Sequence, residues 1–225
     1  MNPLLEHLSS HSVTWAINVG GPSLDAIDML AMAGAKCLFI DCERAAINIE
    51  SIGPMVRSAK SHGMLTMLRS ESKQPEILIR YLDRGVDGLV VPHTETVDEL
   101  EQIAQIIDYV SKGHPEKFMS IAQVESIQAV QNIEKLAAST AVNGFLIGPN
   151  DLSHSMGFKG DLQPDALWQA IDGVIVELEK HQRIWGLPGS PSTQETLCSR
   201  GARFLYCTLP QIIQTGFKAF QTPTT

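Results

Sequence analysis

Eight short apolar runs recur along the chain, at residues 14–19, 37–40, 64–68, 88–91, 119–124, 144–147, 184–187 and 204–207. Several are apolar almost throughout rather than alternating with polar residues. Strands covered on both faces have this pattern, as in a parallel sheet. Amphipathic stretches lie between the runs. Val97, Leu100, Ile103, Ala104, Ile107 and Val110 fall on one face at helical spacing, and Thr96 with Glu99 forms a capping box ahead of them. Ile52, Met55, Val56 and Ala59 make a second stripe, with Gly63 placed to stop it. Pro75 suits the first turn of a helix that carries Ile77, Leu78, Tyr81 and Leu82 and ends at Gly85. Ser192 and Glu195 read as another capping box, with Gly201 closing that helix. Helices are also expected over 23–33, 126–138, 167–178 and 211–220, and loops at His114-Pro115 and 157–160.

Eight strands thus alternate with eight helices. Over 225 residues this is about 28 residues per unit, near the spacing of a compact barrel. Alternating βα units imply a parallel sheet with right-handed crossovers. No Gly-rich dinucleotide fingerprint is present, so a closed (β/α)8 TIM barrel is favoured over a doubly wound sheet. One α/β domain over residues 1–225 is expected, because no low-complexity linker divides the chain.

Composition narrows the function. Hydrophobic residues make up 44% and charged residues 19%, as in an ordinary globular protein. The net charge of −8 argues against a nucleic-acid surface, which needs clustered positive charge. No apolar run approaches the ~20 residues that span a bilayer, and no signal peptide is read at the N-terminus. A cytoplasmic protein without membrane or nucleic-acid partners is expected. Cys37, Cys42, Cys198 and Cys207 form no C-x-x-C pair and read as reduced thiols.

Polar residues collect where the strands end, which is the catalytic face of such a barrel. The second strand runs into Asp41-Cys42-Glu43-Arg44, the third ends at Arg69, and the fourth ends at Pro92-His93-Thr94. The fifth ends in Gln123-Val124-Glu125, and the sixth in Gly148-Pro149-Asn150-Asp151. Pro188-Gly189 and Thr208 complete the set. Glu125 and Asp151 offer hard oxygen ligands suited to Mg2+ or Mn2+, or else each caps the helix that follows. Arg69 reads either as a clamp on a substrate oxyanion or as one half of an ion pair with Asp41 or Asp83. The 148–153 loop could offer backbone N–H groups to an anion or be a plain turn. His93 and His154 are acid/base candidates or surface polar groups. Cys42 reads as a core thiol rather than a nucleophile.

These motifs resemble the HpcH/HpaI aldolases, a family of metal-dependent class II 2-oxo-acid aldolases. The resemblance spans nearly the whole chain. It rests on Phe39-Ile40-Asp41-Cys42-Glu43, Leu68-Arg69, Leu82-Asp83-Arg84-Gly85, Gly88-Leu89-Val90-Val91-Pro92, Gln123-Val124-Glu125-Ser126 and Ile147-Gly148-Pro149-Asn150-Asp151-Leu152-Ser153. It implies a (β/α)8 barrel assembled as a homo-oligomer, commonly a hexamer of dimers that exchange the last helix. It implies Glu125 and Asp151 as ligands of Mg2+, Mn2+ or Co2+, on which a pyruvate-like 2-oxo acid is chelated. Arg69 would stabilise the enolate, Gln123 would line the site, and Gly148, Pro149, Asn150 and Asp151 would hold the substrate carboxylate. A divalent cation and an Arg together offset an enolate's negative charge without a Schiff-base lysine. No lysine stands at an expected strand end.

One position departs from the resemblance. Aldolases of this family carry a His after Asp-x-Glu, and this chain has Arg44. Arg cannot act as a base near neutral pH. Three outcomes are open: the proton comes from His93, His154 or a water on the metal; Arg44 grips a second substrate carboxylate, as in oxaloacetate; or Arg44 pairs with Glu43 and activity falls. The leading expectation is a divalent-metal-dependent carbon–carbon lyase acting on a 2-oxo acid, with Arg69, Arg44 and His93 in catalytic roles. The rivals are an oxaloacetate-using condensing enzyme or decarboxylase, and a non-catalytic barrel that only binds the metal and the acid.

Overall fold

The computed structural model describes residues 2–10 and 13–221, with Ala219 described by its backbone alone. In the first half, α1 (Pro3–Ser9) precedes β1 (Thr14–Asn18), α2 (Leu24–Met32), β2 (Cys37–Asp41), α3 (Ile49–Ser61), β3 (Leu65–Arg69), α4 (Pro75–Leu82), β4 (Gly88–Val91) and α5 (Val97–Ser111). A short 3-10 turn, Pro115–Lys117, leads into β5 (Met119–Val124), followed by α6 (Ile127–Gln131), α7 (Ile133–Ala138), β6 (Gly144–Ile147) and α8 (Pro149–Ser155). The chain continues through α9 (Asp165–Lys180), β7 (Ile184–Pro188), α10 (Gln194–Ser199), β8 (Phe204–Thr208) and α11 (Leu209–Gln221). The eight strands close in sequence order, every pairing parallel, with β8 returning to β1. The TIM-barrel expectation is met, and the strand positions agree within a residue or two.

The period of two in a strand separates two cores. Outward residues such as Leu38, Ile40, Leu68 and Leu89 pack under the helices. Inward residues such as Ala16, Cys37, Phe39, Met67, Met119 and Ile121 fill the barrel. Continuing each inward series by two residues reaches Asn18, Asp41, Arg69 and Gln123. Asp41 and Arg69 stand side by side in the β2–β3 register. These four strands are therefore apolar at the floor and polar at the mouth, and Asn18, Asp41, Arg69 and Gln123 form a layer of the barrel itself.

Three expectations are corrected. The helix expected over 126–138 is two, α6 and α7, broken at Asn132, whose side-chain amide donates to the carbonyl of Glu95 at 2.9 Å. The capping box expected at Ser192 and Glu195 does not form. α10 starts after Thr193, which exchanges hydrogen bonds with Ser190 instead. The 148–153 segment is not a plain turn but opens α8, with Pro149 at its first position. The Thr96–Glu99 capping box and the Pro75 helix start are present as expected.

α1 was not foreseen. Its Leu4 and Leu8 are fully buried in the barrel core, and Asn2 donates its side-chain amide to the carbonyls of Asp87 and Lys117, both at 2.8 Å. A methyl group on Gly88 would lie 2.5 Å from Leu4 Cδ2, so the glycine lets Leu4 pack this close to the start of β4. The floor of the barrel is closed.

Candidate active site

Asp41, at the end of β2, is buried and anchors the mouth. Its carboxylate accepts from Arg69 Nε at 3.0 Å and Nη2 at 2.7 Å, and from the side-chain amide of Asn18 at 3.1 Å. Asn18 also donates to Tyr206 Oη at 2.9 Å, which ties β1, β2, β3 and β8 together. Arg69 Nη1 lies 2.8 Å from Glu43 Oε2. The ion-pair reading of Arg69 is thus realised with Asp41 and Glu43, and Asp83 has no part in it. Arg69 nevertheless lines the pocket at the mouth, so the pairing also holds the guanidinium in place there.

Glu125 follows β5 and is buried. Gln123 donates its side-chain amide to Glu125 Oε2, and the backbone N–H of His93 donates to Oε1 at 2.7 Å. That second bond gives His93 a reason to hold the left-handed conformation (φ 52°), which costs a non-glycine residue ~1–3 kcal/mol. The helix after β5 is capped by Ser126, not by Glu125, so the capping reading of Glu125 falls away. The His93 ring stands between two carboxylates, with Nδ1 3.0 Å from Glu125 Oε1 and Nε2 3.3 Å from Glu43 Oε1.

Ligand atoms of Glu43, His93 and Glu125 lie within 4.8 Å of one another and could hold a metal ion. This group shares Glu125 with the expected pair but not Asp151, which sits in the first turn of α8 with Oδ1 2.5 Å from Arg44 Nη2. Glu43 lies 4.0 Å from Arg44 Nε, so the expected Arg44–Glu43 pairing is the lesser contact. A pocket of about 250 Å3 is lined by Arg44, Arg69, Gln123, Gly148, Pro149, Asn150, Asp151, Phe39 and Tyr206, among others. It brings together seven of the expected site residues. Glu125 lies directly behind Gly148, where an added Cβ would be 3.0 Å from its Oε2. His154 is at the far end of α8 beside Gly160, outside the pocket lining. Cys42 is a buried thiol pushed up to about 12, chiefly by desolvation, as a core thiol should be.

The donor set fits a divalent cation. Four carboxylates, Asp41, Glu43, Glu125 and Asp151, face two guanidiniums, Arg44 and Arg69, with His93 between. Gln123 Oε1 is buried without a hydrogen-bond partner among the described residues. Burial, with Glu43 and Asp151 nearby, pushes the Glu125 carboxyl up to about 7. A cation beside it would favour its charged form at neutral pH.

The family model described as HpcH/HpaI aldolase/citrate lyase matches residues 17–187. The chain belongs to this family. Within the HpcH/HpaI family, it is 26% identical over 182 residues to the 5-keto-4-deoxy-D-glucarate aldolase of Klebsiella pneumoniae, covering 71% of each chain. A family protein from Burkholderia cenocepacia superposes with a TM-score of 0.88 at 21% identity, covering 98% of both chains. A citrate lyase beta subunit from M. tuberculosis, solved with oxaloacetate and magnesium, superposes with a TM-score of 0.63 at 17% identity, covering 96% of this chain and 100% of the other. At these identities the superpositions bear on the fold alone. Among the described residues, no helix is long and apolar enough to cross a membrane.

In the sequence Glu43 reads only as a partner for Arg44 and Asp41 only as a partner for Arg69, and Tyr206 and Asn18 do not read as site residues at all. Tyr206 and Asn18 both bear on Asp41, directly or through one bond. The signal was available, because each lies in an inward series that ends at the mouth.

The raised Glu125 carboxyl has a consequence for stability without metal. A carboxyl near 7 in the folded chain and lower in the unfolded chain holds its proton longer in the fold. Its stabilising contribution is complete below the unfolded value and lost as pH rises through about 7. In EDTA, Glu125→Gln is therefore expected to gain melting temperature relative to the parent between pH 5 and pH 8. A difference that stays the same at both pH values would contradict the buried-acid assignment.

Proposed function

We propose that this chain is a divalent-metal-dependent carbon–carbon lyase that acts on a 2-oxo acid through an enolate. The carrying observation is the buried Glu125 in a carboxylate-rich mouth that it shares with Arg69. Glu125 with Asp151, or Glu125 with Glu43 and His93, would hold Mg2+, Mn2+ or Co2+. The cation, when bound, supplies Lewis-acid polarisation of the keto oxygen and offsets the enolate charge. Asp41 takes two of Arg69's five N–H donors, which leaves donors on Nη1 and Nη2 for the oxygen that becomes negative. Asp41 and Asn18 fix that guanidinium in advance, so little reorganisation is needed as charge develops. Where Glu125 and Asp151 hold the cation, the His93 imidazole is left to carry the proton to or from the substrate, the task that Arg44 cannot perform. Gly148, Pro149 and Asn150 form the wall against which the acid lies.

Oxaloacetate tests this reading, because an enolate-forming site decarboxylates it whatever the natural acceptor is. Loss of oxaloacetate faster than with the same cation alone, requiring Mg2+, Mn2+ or Co2+ and stopped by EDTA, is expected. Loss unaffected by EDTA, or no loss by protein shown to bind the metal, would remove the lyase reading.

Assembly as a homo-oligomer belongs to the same proposal. α11 presents Ile213, Phe217 and Phe220 along one exposed stripe, with Phe220 86% accessible. Beside α11 lies a groove of about 960 Å3, lined by Val13, Trp15, Leu30, Ala35 and Cys207. The last helix thus stands off the barrel next to an unfilled apolar slot. Exchange of α11 between two copies would bury both. Light scattering is expected to show a dimer or a multiple of it, with Phe217→Glu shifting the mass to one chain. A parent protein that is monomeric at micromolar concentration would sink the exchange.

A further inference from the structure

The His93 side chain is 57% exposed, so packing does little to hold its ring between Glu43 and Glu125. Its backbone is left-handed (φ 52°), a conformation that a non-glycine residue keeps only under outside constraint. Relaxing to a negative φ would redirect the Cα–Cβ bond and carry the ring away from both carboxylates. The place of the ring is therefore set by whatever holds the peptide groups of His93.

Two ionisable side chains hold them, from opposite ends. The N–H donates to Glu125 Oε1 at 2.7 Å, and the carbonyl accepts from Lys73 Nζ at 2.8 Å. The bond from the ammonium is charge-assisted, the stronger kind. Lys73 is itself fixed. Its Nζ lies 2.5 Å from Glu99 Oε1, while Glu99 Oε2 accepts from the backbone N–H groups of Glu95 and Thr96 at 2.6 and 3.1 Å. It projects from the turn between β3 and α4, where Ser70 Oγ donates to the Ser72 carbonyl at 2.6 Å and Ser72 Oγ accepts from the Gln74 N–H at 3.1 Å. Lys73 is outside the pocket lining, so its link to the mouth runs through His93.

We propose that Lys73 is a positioning residue: its ammonium grips the His93 carbonyl while Glu125 holds the N–H, which locks His93 left-handed and places the imidazole between Glu43 and Glu125. The catalytic meaning of that place rests on the lyase reading above; the lock itself does not.

Amide hydrogen exchange of the metal-free protein, followed residue by residue, reads the lock without turnover. Lys73→Met is expected to speed exchange of the His93 N–H about tenfold or more, while amides within β4 and β5 keep their parental rates. Lys73→Arg keeps a charged donor and should restore most of the protection. Unchanged His93 exchange in Lys73→Met, or faster exchange confined to the Glu95 and Thr96 amides, would overturn the proposal and leave Lys73 as a partner of the α5 cap alone. Equal acceleration within β4 and β5 would also overturn it, because the loss would then belong to the whole fold. Turnover of oxaloacetate gives a second readout. In Lys73→Met, kcat should fall about tenfold with KM near the parental value. In a His93→Gln background the same substitution should add no further loss. A full second loss there would overturn the link through His93. No oxaloacetate loss in the parent would remove the lyase reading, and the exchange result would still decide the lock.

Discussion

Glu125→Ala is expected to lower metal-dependent oxaloacetate turnover by about a thousandfold, with the barrel intact. Removing the carboxylate forfeits several kcal/mol of charge stabilisation, at ~1.4 kcal/mol per factor of ten. The fold should survive because Glu125 lies beyond the end of β5 and its bonds are to Gln123 and to the backbone of His93. Loss of that backbone bond also removes one support of the left-handed His93, so the proposed proton carrier is displaced together with the metal ligand. Two measurements check this: turnover with Mn2+ and Mn2+ affinity by calorimetry. Turnover near that of the parent would remove Glu125 from the centre of the site, whatever the other carboxylates do.

Arg69→Lys should be almost as damaging despite conserving charge. Arg69 uses Nε and Nη2 on Asp41 while Nη1 approaches Glu43, a spread of donors that one ammonium cannot span. Lysine can satisfy one of these carboxylates and leave no donor at the enolate position. A loss of about 10²–10³ in kcat is expected, the scale seen when one preorganised donor is removed from an oxyanion site. Lysine keeps a positive charge beside the buried Asp41, so the fold should tolerate it better than Arg69→Met, which leaves that carboxylate unpaired. The contrast is the check: kcat should fall in both variants, and melting temperature should fall more in Arg69→Met. A Lys variant with parental kcat would make Arg69 a structural residue only.

The barrel was legible because strands buried on both faces must be apolar along their length, and β4, β5 and β6 have the boundaries that the runs suggested. The mouth was legible because charged residues at the ends of such runs have few other places to go. What escaped reading depended on contacts distant in sequence. α1 is seven residues long, too short for periodicity to show, and its burial comes from the barrel floor that it meets. The break at Asn132 depends on a carbonyl 37 positions earlier. Ser192 and Glu195 have the spacing of a capping box, but the Ser190–Thr193 exchange satisfies the chain one residue later. At the site, the sequence named Arg44 and Asp151 separately. Only the folding of β2 and β6 to one rim makes them partners across 107 positions.

The plugged floor has a practical side. α1 fills one end of the barrel while the charged residues gather at the other, so among the described residues the barrel interior is reached from the mouth. A support, a fluorophore or a fused protein joined ahead of α1 would attach on the wall opposite that mouth. Such a tether leaves the entrance clear, whereas one placed after α11 would crowd the face where a second copy is expected to dock.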